Sequence, residues 1–191
     1  MELYERTNRR RQPRVIVFAA MQTRPVRPEE CDELGLLTVR AYRSLAGGTP
    51  LGSYEEVLAN VAARLVDCEV FVAVDDGVLV GGVTYVPGPN TSMSEFDDEG
   101  AAGVRHLAVD PTRQGTGAGL ALAEAVIRHA RDQRRARLRL HSTAPMVIAR
   151  AMYERLGFVR APQFDLFVPD APYSDREPLH LISYVLELGQ S

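Results

Sequence analysis

The stretch from His106 to Leu120 sets an apolar strand directly against glycines that open a helix, and few arrangements of a chain accommodate that junction. Gly115, Gly117 and Gly119 remove Cβ atoms where a ligand would approach. A helix starting there presents unpaired N–H groups at the positive end of its dipole. The junction therefore predicts a phosphate cradle within an α/β domain. Two common cradles fail on composition. A Walker loop ends in Gly-Lys-Ser/Thr so that an ammonium reaches the β and γ phosphates, and this chain contains no lysine. A dinucleotide fingerprint requires a third glycine after Gly-x-Gly-x-x. That position is Leu120 counted from Gly115 and Leu122 counted from Gly117, which disfavours a nucleotide-dependent oxidoreductase.

What remains is Gln114-x-x-Gly117-x-Gly119, preceded by Leu107-Ala-Val-Asp-Pro111 and followed by Ala149-x-x-x-Tyr153-x-x-x-Gly157-Phe158. This pair of linked motifs resembles the GNAT superfamily of acetyl-CoA-dependent N-acetyltransferases, from about residue 21 to the C-terminus. The resemblance implies an α/β fold whose mixed, largely antiparallel central sheet is flanked by helices and splayed between strands at 104–109 and 136–142. It implies acetyl-CoA as co-substrate, with the pantetheine arm along Leu107, Ala108 and Val109. The pyrophosphate would lie on Gly115, Thr116, Gly117, Ala118, Gly119 and Leu120, with Arg113 and Gln114 alongside. The Val109 N–H would face the thioester carbonyl, a type of contact worth about 3 kcal/mol in comparable oxyanion holes. Tyr153 would be the general acid that returns a proton to the departing thiolate.

Each assignment has a plainer structural reading beside it. The glycines could serve a strand-to-helix turn, Arg113 could be a solvated loop residue, and Tyr153 shares a packing stripe with Ala149, Met152 and Leu156. The chain also departs from the family twice. The strand glutamate that many members use as base is Gly103 here, and an asparagine that often contacts the CoA arm is Met146. Glu99 or His141 is the candidate to drain the acceptor's proton, because an attacking amine must be neutral. Arg105 is a candidate contact for a substrate carboxylate or phosphate. Glu95, Asp97, Asp98 and Glu99 form an acidic loop that would attract a cationic amine or simply be solvated.

At 191 residues and 46% hydrophobic, the chain fits one domain with a sizeable core. A net charge of −3 with interspersed signs argues against nucleic acid or an anionic membrane as partner. The absence of lysine excludes Schiff-base chemistry. Cys31 and Cys68 stand alone, so neither a zinc site nor a disulfide framework is expected, and a reducing, cytoplasmic setting is the natural reading. The apolar run Val15–Ala20 is too short for a secretory core. Residues 1–20 are expected to be a disordered extension preceding a domain at 21–191, so that truncation to Met21 leaves fold and activity intact.

Pro28-Glu-Glu30 starts a helix with Cys31, Leu34, Leu37 and Ala41 on its apolar face, interrupted by Gly35. A capping box at Ser53-x-x-Glu56 opens a second helix carrying Tyr54, Val57, Leu58, Val61, Ala62 and Leu65. Val70–Val74, the Asp-Gly77 turn and Val78–Val86 read as a hairpin. A strand over Val104–Val109 then leads to the helix with Leu120, Ala123, Val126, Ile127 and Ala130 inward, and Leu138–His141 is the next strand. Thr143 caps a helix ending at Leu156, with Gly157 beyond it. Strands over Phe158–Val168 and Leu179–Leu188 close the sheet, joined by a segment rich in proline through Pro169, Pro172 and Pro178. The sequence leaves the amine acceptor open between small molecules and peptides, is silent on a homodimer, and admits as an alternative a catalytically silent acyl-CoA-binding module.

Overall fold

In the computed structural model, residues 21–169 and 178–189 are described; the expected extension at 1–20 and most of the segment carrying Pro172 lie outside them. The elements are β1 (Gln22–Pro25), α1 (Cys31–Leu45), α2 (Tyr54–Ala59), α3 (Val61–Arg64), β2 (Glu69–Asp75), β3 (Val78–Val86), β4 (Ala101–Val109), α4 (Ala118–Asp132), β5 (Arg137–Ser142), α5 (Val147–Arg155), β6 (Val159–Arg160), β7 (Leu166–Val168) and β8 (Leu179–Glu187). They build an eight-stranded sheet in the order β1-β2-β3-β4-β5-β8-β6, with β7 also paired to β8. Only β4 and β5 run parallel; every other pairing is antiparallel. This is the open α/β sheet that the motifs imply.

The sheet has two covered faces. On one, α4 packs Leu122, Val126, Ile127 and Ala130 against Val83, Ala102, Val104 and Leu138. On the other, α1 lays Cys31, Leu34, Leu37 and Ala41 over Val70, Val72 and Ala108, as its apolar spacing predicts. Gly35 explains itself by contact: a Cβ there would stand 2.1 Å from the Ala59 carbonyl oxygen, so glycine lets α1 and α2 touch through backbone. The Asp76-Gly77 turn closes the β2–β3 hairpin with φ of 48° and 80°, the positive values that such a turn needs.

Five local expectations are corrected. The helix after Ser53 is two short helices, because Asn60 (ψ 73°) leaves the helical region and caps α3 by accepting from the Ala63 N–H. The Ser53 side chain makes no cap bond; Glu55 instead accepts from the Leu51 N–H and from Arg43. The break rotates Val57 and Leu65 outward and Arg64 inward. The strand expected over Phe158–Val168 is cut by a 3-10 turn at Pro162–Phe164, where proline cannot donate to the ladder, leaving β6 and β7. Leu120 is half-exposed rather than packed. The last helix begins at Val147, beyond Pro145, without a Thr143 side-chain cap; its end at Gly157 has φ 93°, as expected of a left-handed stop.

Gly35→Ala is expected to cost about 1–3 kcal/mol by overpacking against rigid backbone. A urea midpoint equal to that of the unmodified protein would show that α2 yields freely instead.

Candidate active site

The parallel ladder between β4 and β5 lasts only from Ala101–Arg137 to Val104–Leu140. Beyond it the two strands part. β5 continues along β8 through His141 and Ser142, while β4 stays with β3 through Ala108 and Val109. A bulge drives the divergence: the β3–β4 register shifts between Gly82 and Thr84, and His106 sits opposite it with φ 50°. Asp110 N–H donates to the Val80 carbonyl at 2.9 Å. Ladder alternation therefore turns the Val109 N–H away from β3 and into the gap.

Next to this edge lies the glycine loop. Gly115 and Gly117 have φ of 82° and 92°, and Gly117 is the N-cap of α4. The backbone N–H groups from Gln114 to Leu120 donate to no acceptor among the described residues. No acidic residue occupies the first turn of α4 to compete for them. Gly119 comes close to the strand, with its virtual Cβ 3.6 Å from Val109 Cγ2, so the unclaimed amides and the open strand edge are contiguous. Arg113 is half-exposed and reaches Asp75 only at 4.0 Å. Asp110 holds the loop's entry: it accepts from the Thr112 N–H and hydroxyl and from Arg40 at 2.9 Å. These bonds, with Thr112 foremost, lower its pKa to about 2.

Tyr153 projects from α5 into the core, 7% exposed, with its ring 5.7 Å from that of Phe158. Burial raises its pKa well above the usual phenol value, so the hydroxyl keeps its proton. No protein hydrogen bond to that hydroxyl occurs among the described residues. Tyr153 also lies within electrostatic range of Tyr42 on α1. Met146 stands at the N-cap of α5 and makes no cap bond.

On the α1–α3 face, the loop after β3 folds back over the start of the gap. Glu95 accepts from His141 Nδ1 at 2.7 Å and pairs with Arg105 at 2.9 Å. Burial opposes its charge, but the His141 bond and the Arg105 charge outweigh that, and its pKa stays below the ordinary value. His141 Nε2 lies 3.0 Å from the Phe164 carbonyl oxygen. Glu99 is elsewhere. It is exposed just before β4, whose first residue, Ala101, is already roughly 26 Å along the strand from Val109 at 3.3 Å per residue. Asp98 is taken by Arg137 and the Gly100 N–H. At Gly103 a Cβ would stand 2.9 Å from Phe96 Cε1, so the Phe96 ring fills the space a carboxylate side chain would need.

Sequence reasoning passed over a second group on this face. His106 is 5% exposed, its Nε2 lies 3.2 Å from Tyr54 Oη, and its Nδ1 has no partner. Burial, reinforced by the charges of Arg64 and Arg105, holds its pKa well below the usual value, so the ring is neutral at pH 7. A histidine inside a strand pattern carries no signal for this. The bulge that turns it inward becomes visible only when β4 is paired.

Comparison with known proteins agrees with this geometry. Residues 27–158 match the model of the acetyltransferase (GNAT) family. Among solved structures, yncA from Salmonella typhimurium, solved with its cofactor acetyl-CoA, aligns with a TM-score of 0.65 at 20% identity, covering 91% of this chain and 96% of that one. A GNAT-family protein from Desulfovibrio desulfuricans aligns at 0.64 and 25% identity over 89% and 100% of the two chains. The ribosomal-protein-S18-alanine N-acetyltransferase of Escherichia coli aligns at 0.65 and 19% identity over 90% and 96%. No curated protein matches the sequence.

Because the Asp110 carboxyl falls from 3.8 to about 2 on folding, its contribution is present above pH 4 and lost as pH drops through 2. Asp110→Asn is expected to lower the melting temperature at pH 7, with the gap to wild type closing towards pH 2. A pH-independent gap would separate the loop's anchoring from this carboxylate.

Proposed function

The chain belongs to the GNAT acetyltransferase family, and from that premise we propose that it moves an acetyl group from acetyl-CoA to an amine by direct attack. One observation carries the reading: among the described residues the amides from Gln114 to Leu120 are unclaimed, and they adjoin a strand edge whose Val109 N–H points away from the β3 ladder. A helix N-terminus and a run of exposed amides suit a diphosphate, and an unpaired strand edge suits the amides of a pantetheine arm. The residues present thus fit acetyl-CoA, which supplies the activated thioester.

In the proposed step a neutral amine forms the new C–N bond as the C–S bond breaks. The Val109 N–H stabilises the charge that develops on the carbonyl oxygen, and the Tyr153 hydroxyl protonates the departing thiolate. The proton lost by the amine drains to solvent by way of the Glu95–His141 pair, with the Glu95 carboxylate as acceptor because His141 Nε2 faces the Phe164 carbonyl. The half-buried position of this pair at the gap supports it over Glu99, and the ring of Phe96 beside Gly103 accounts for the missing strand carboxylate. Neither Cys31 nor Cys68 takes part, both being buried in the core, so no acyl-enzyme is invoked. The acceptor is a small-molecule or peptide amine, and the domain spans residues 21–191.

A panel of amines assayed for free-thiol release tests the activity, and heat on titration with acetyl-CoA tests binding. Gly117→Asp, which puts a side chain at positive φ and an anion in the cradle, is expected to abolish that heat. Tyr153→Phe is expected to lower kcat roughly 100-fold with acetyl-CoA affinity unchanged. An undiminished rate removes the acid role. Binding without thiol release from any amine would instead favour a silent acyl-CoA-binding module.

A further inference from the structure

Tyr42 stands over the stretch of β4 that has lost its partner. It belongs to the last turns of α1, which Arg40 ties to the end of β4 through a 2.9 Å bond to Asp110. The Tyr42 ring packs against the cluster that includes Ala108 and lies 6.3 Å from the ring of His106. Both of those residues lie beyond Val104, where the ladder to β5 stops. Tyr153 approaches from the other side, on α5, packed into the α4 side of the core. Burial raises the pKa of the Tyr42 hydroxyl well above its usual value. Among its neighbours Tyr54 and then Tyr153 add to that rise, with effects larger than those of Arg105 and Arg64.

The other polar atoms on this face are committed or closed off. Tyr54 Oη lies 3.2 Å from His106 Nε2 and is shared with Arg105. Arg105 is paired with Glu95 and the Met93 carbonyl, and His106 Nδ1 is sealed. The Tyr42 hydroxyl differs on both counts: it has no hydrogen-bond partner among the described residues, and it is not sealed. The Tyr153 hydroxyl shares both properties. Thus each face brings one open, protonated hydroxyl towards the parting of the strands.

A neutral phenol carries one proton and two lone pairs. An attacking amine aims its own lone pair at the thioester carbon, so its N–H groups need acceptors. A phenol oxygen accepts such a bond, which strengthens as the nitrogen gains positive charge during attack. We propose that the Tyr42 hydroxyl accepts a hydrogen bond from the N–H of the acceptor's amine and aims its nitrogen at the thioester, opposite Tyr153 at the departing sulfur. Tyr42 is then a catalytic residue on the acceptor side that takes no proton; the proton leaves by way of the Glu95–His141 pair. The inference rests on the acetyl-transfer reading and deepens it by giving the attacking nitrogen a place beside α1.

Two measurements on the full chain test it. Tyr42→Phe keeps the ring and forfeits no hydrogen bond among the described residues. Its melting temperature and its heat with acetyl-CoA are therefore expected to match those of the unmodified protein. Its kcat/KM for the amine is expected to fall about tenfold or more, chiefly in kcat, because the contact strengthens during attack. An unchanged kcat/KM with every amine overturns the proposal, as does a loss traced to weaker acetyl-CoA binding. In the second measurement, protein carrying 13C at the tyrosine Cζ is saturated with CoA, which has no acetyl group to transfer. It is then titrated with n-butylamine, benzylamine and alaninamide. The resonance missing from Tyr42→Phe, or from Tyr42→Met should the first variant not fold, is expected to shift saturably with at least one amine. The resonance of Tyr85, sealed in the core, is expected to stay in place. No shift of the Tyr42 resonance with any amine overturns the proposal. Absence of thiol release from the unmodified protein sinks the acetyl-transfer reading instead, and the titration still judges Tyr42.

Discussion

The parting of β4 and β5 is the constraint on which everything else rests. A sheet normally satisfies every interior N–H and C=O across its ladders, and a buried group without a partner is expensive. Here each strand is held on its outer side, β4 by β3 and β5 by β8, while the inner ladder stops at Val104 and Leu140. The resulting inner edge is extended and has no strand partner among the described residues. The bulge at His106 does two things at once, ending the match with β5 and delivering an imidazole to the opposite face. Backbone at positive φ outside glycine costs of order 1–3 kcal/mol, so the surrounding packing holds the bulge in place.

The two faces divide the labour. The α4 face supplies the amides of the glycine loop and, with α5, the Tyr153 hydroxyl. The α1–α3 face supplies charge and aromatic surface: Arg64, Arg105, His106, Tyr42 and Tyr54. The strand edge between them belongs to both. On the proposed acetyl-transfer reading, reactants arriving from opposite faces would meet at Val109, where a backbone donor is indifferent to side-chain drift.

Much of this was legible in the residues. The glycine loop, the Asp-Gly hairpin, the α1 stripe and the stop at Gly157 are local chemistry, and each appears where spacing puts it. The helix break at Asn60 and the interruption at Pro162 also have local causes, but the apolar stripe and the long hydrophobic run outvoted them. The site's pairings were not legible for a different reason. Glu95 and His141 lie 46 residues apart, and Tyr54 and His106 lie 52 apart. Periodicity reports which face a residue takes, never which distant residue shares it. Arg64 is the sharpest case, since an arginine between apolar neighbours reads as solvent-facing until the break in the helix turns it inward.

Phe96 occupies the volume beside Gly103, and the Arg139 guanidinium lies 5.5 Å from that ring and 3.8 Å from the ring of Phe164. These four positions are therefore coupled through packing. Introducing glutamate at 103 alone collides with the ring, and trimming the ring alone strips a face from a buried cation. A carboxylate at 103 therefore calls for coupled exchanges among its neighbours rather than a single substitution.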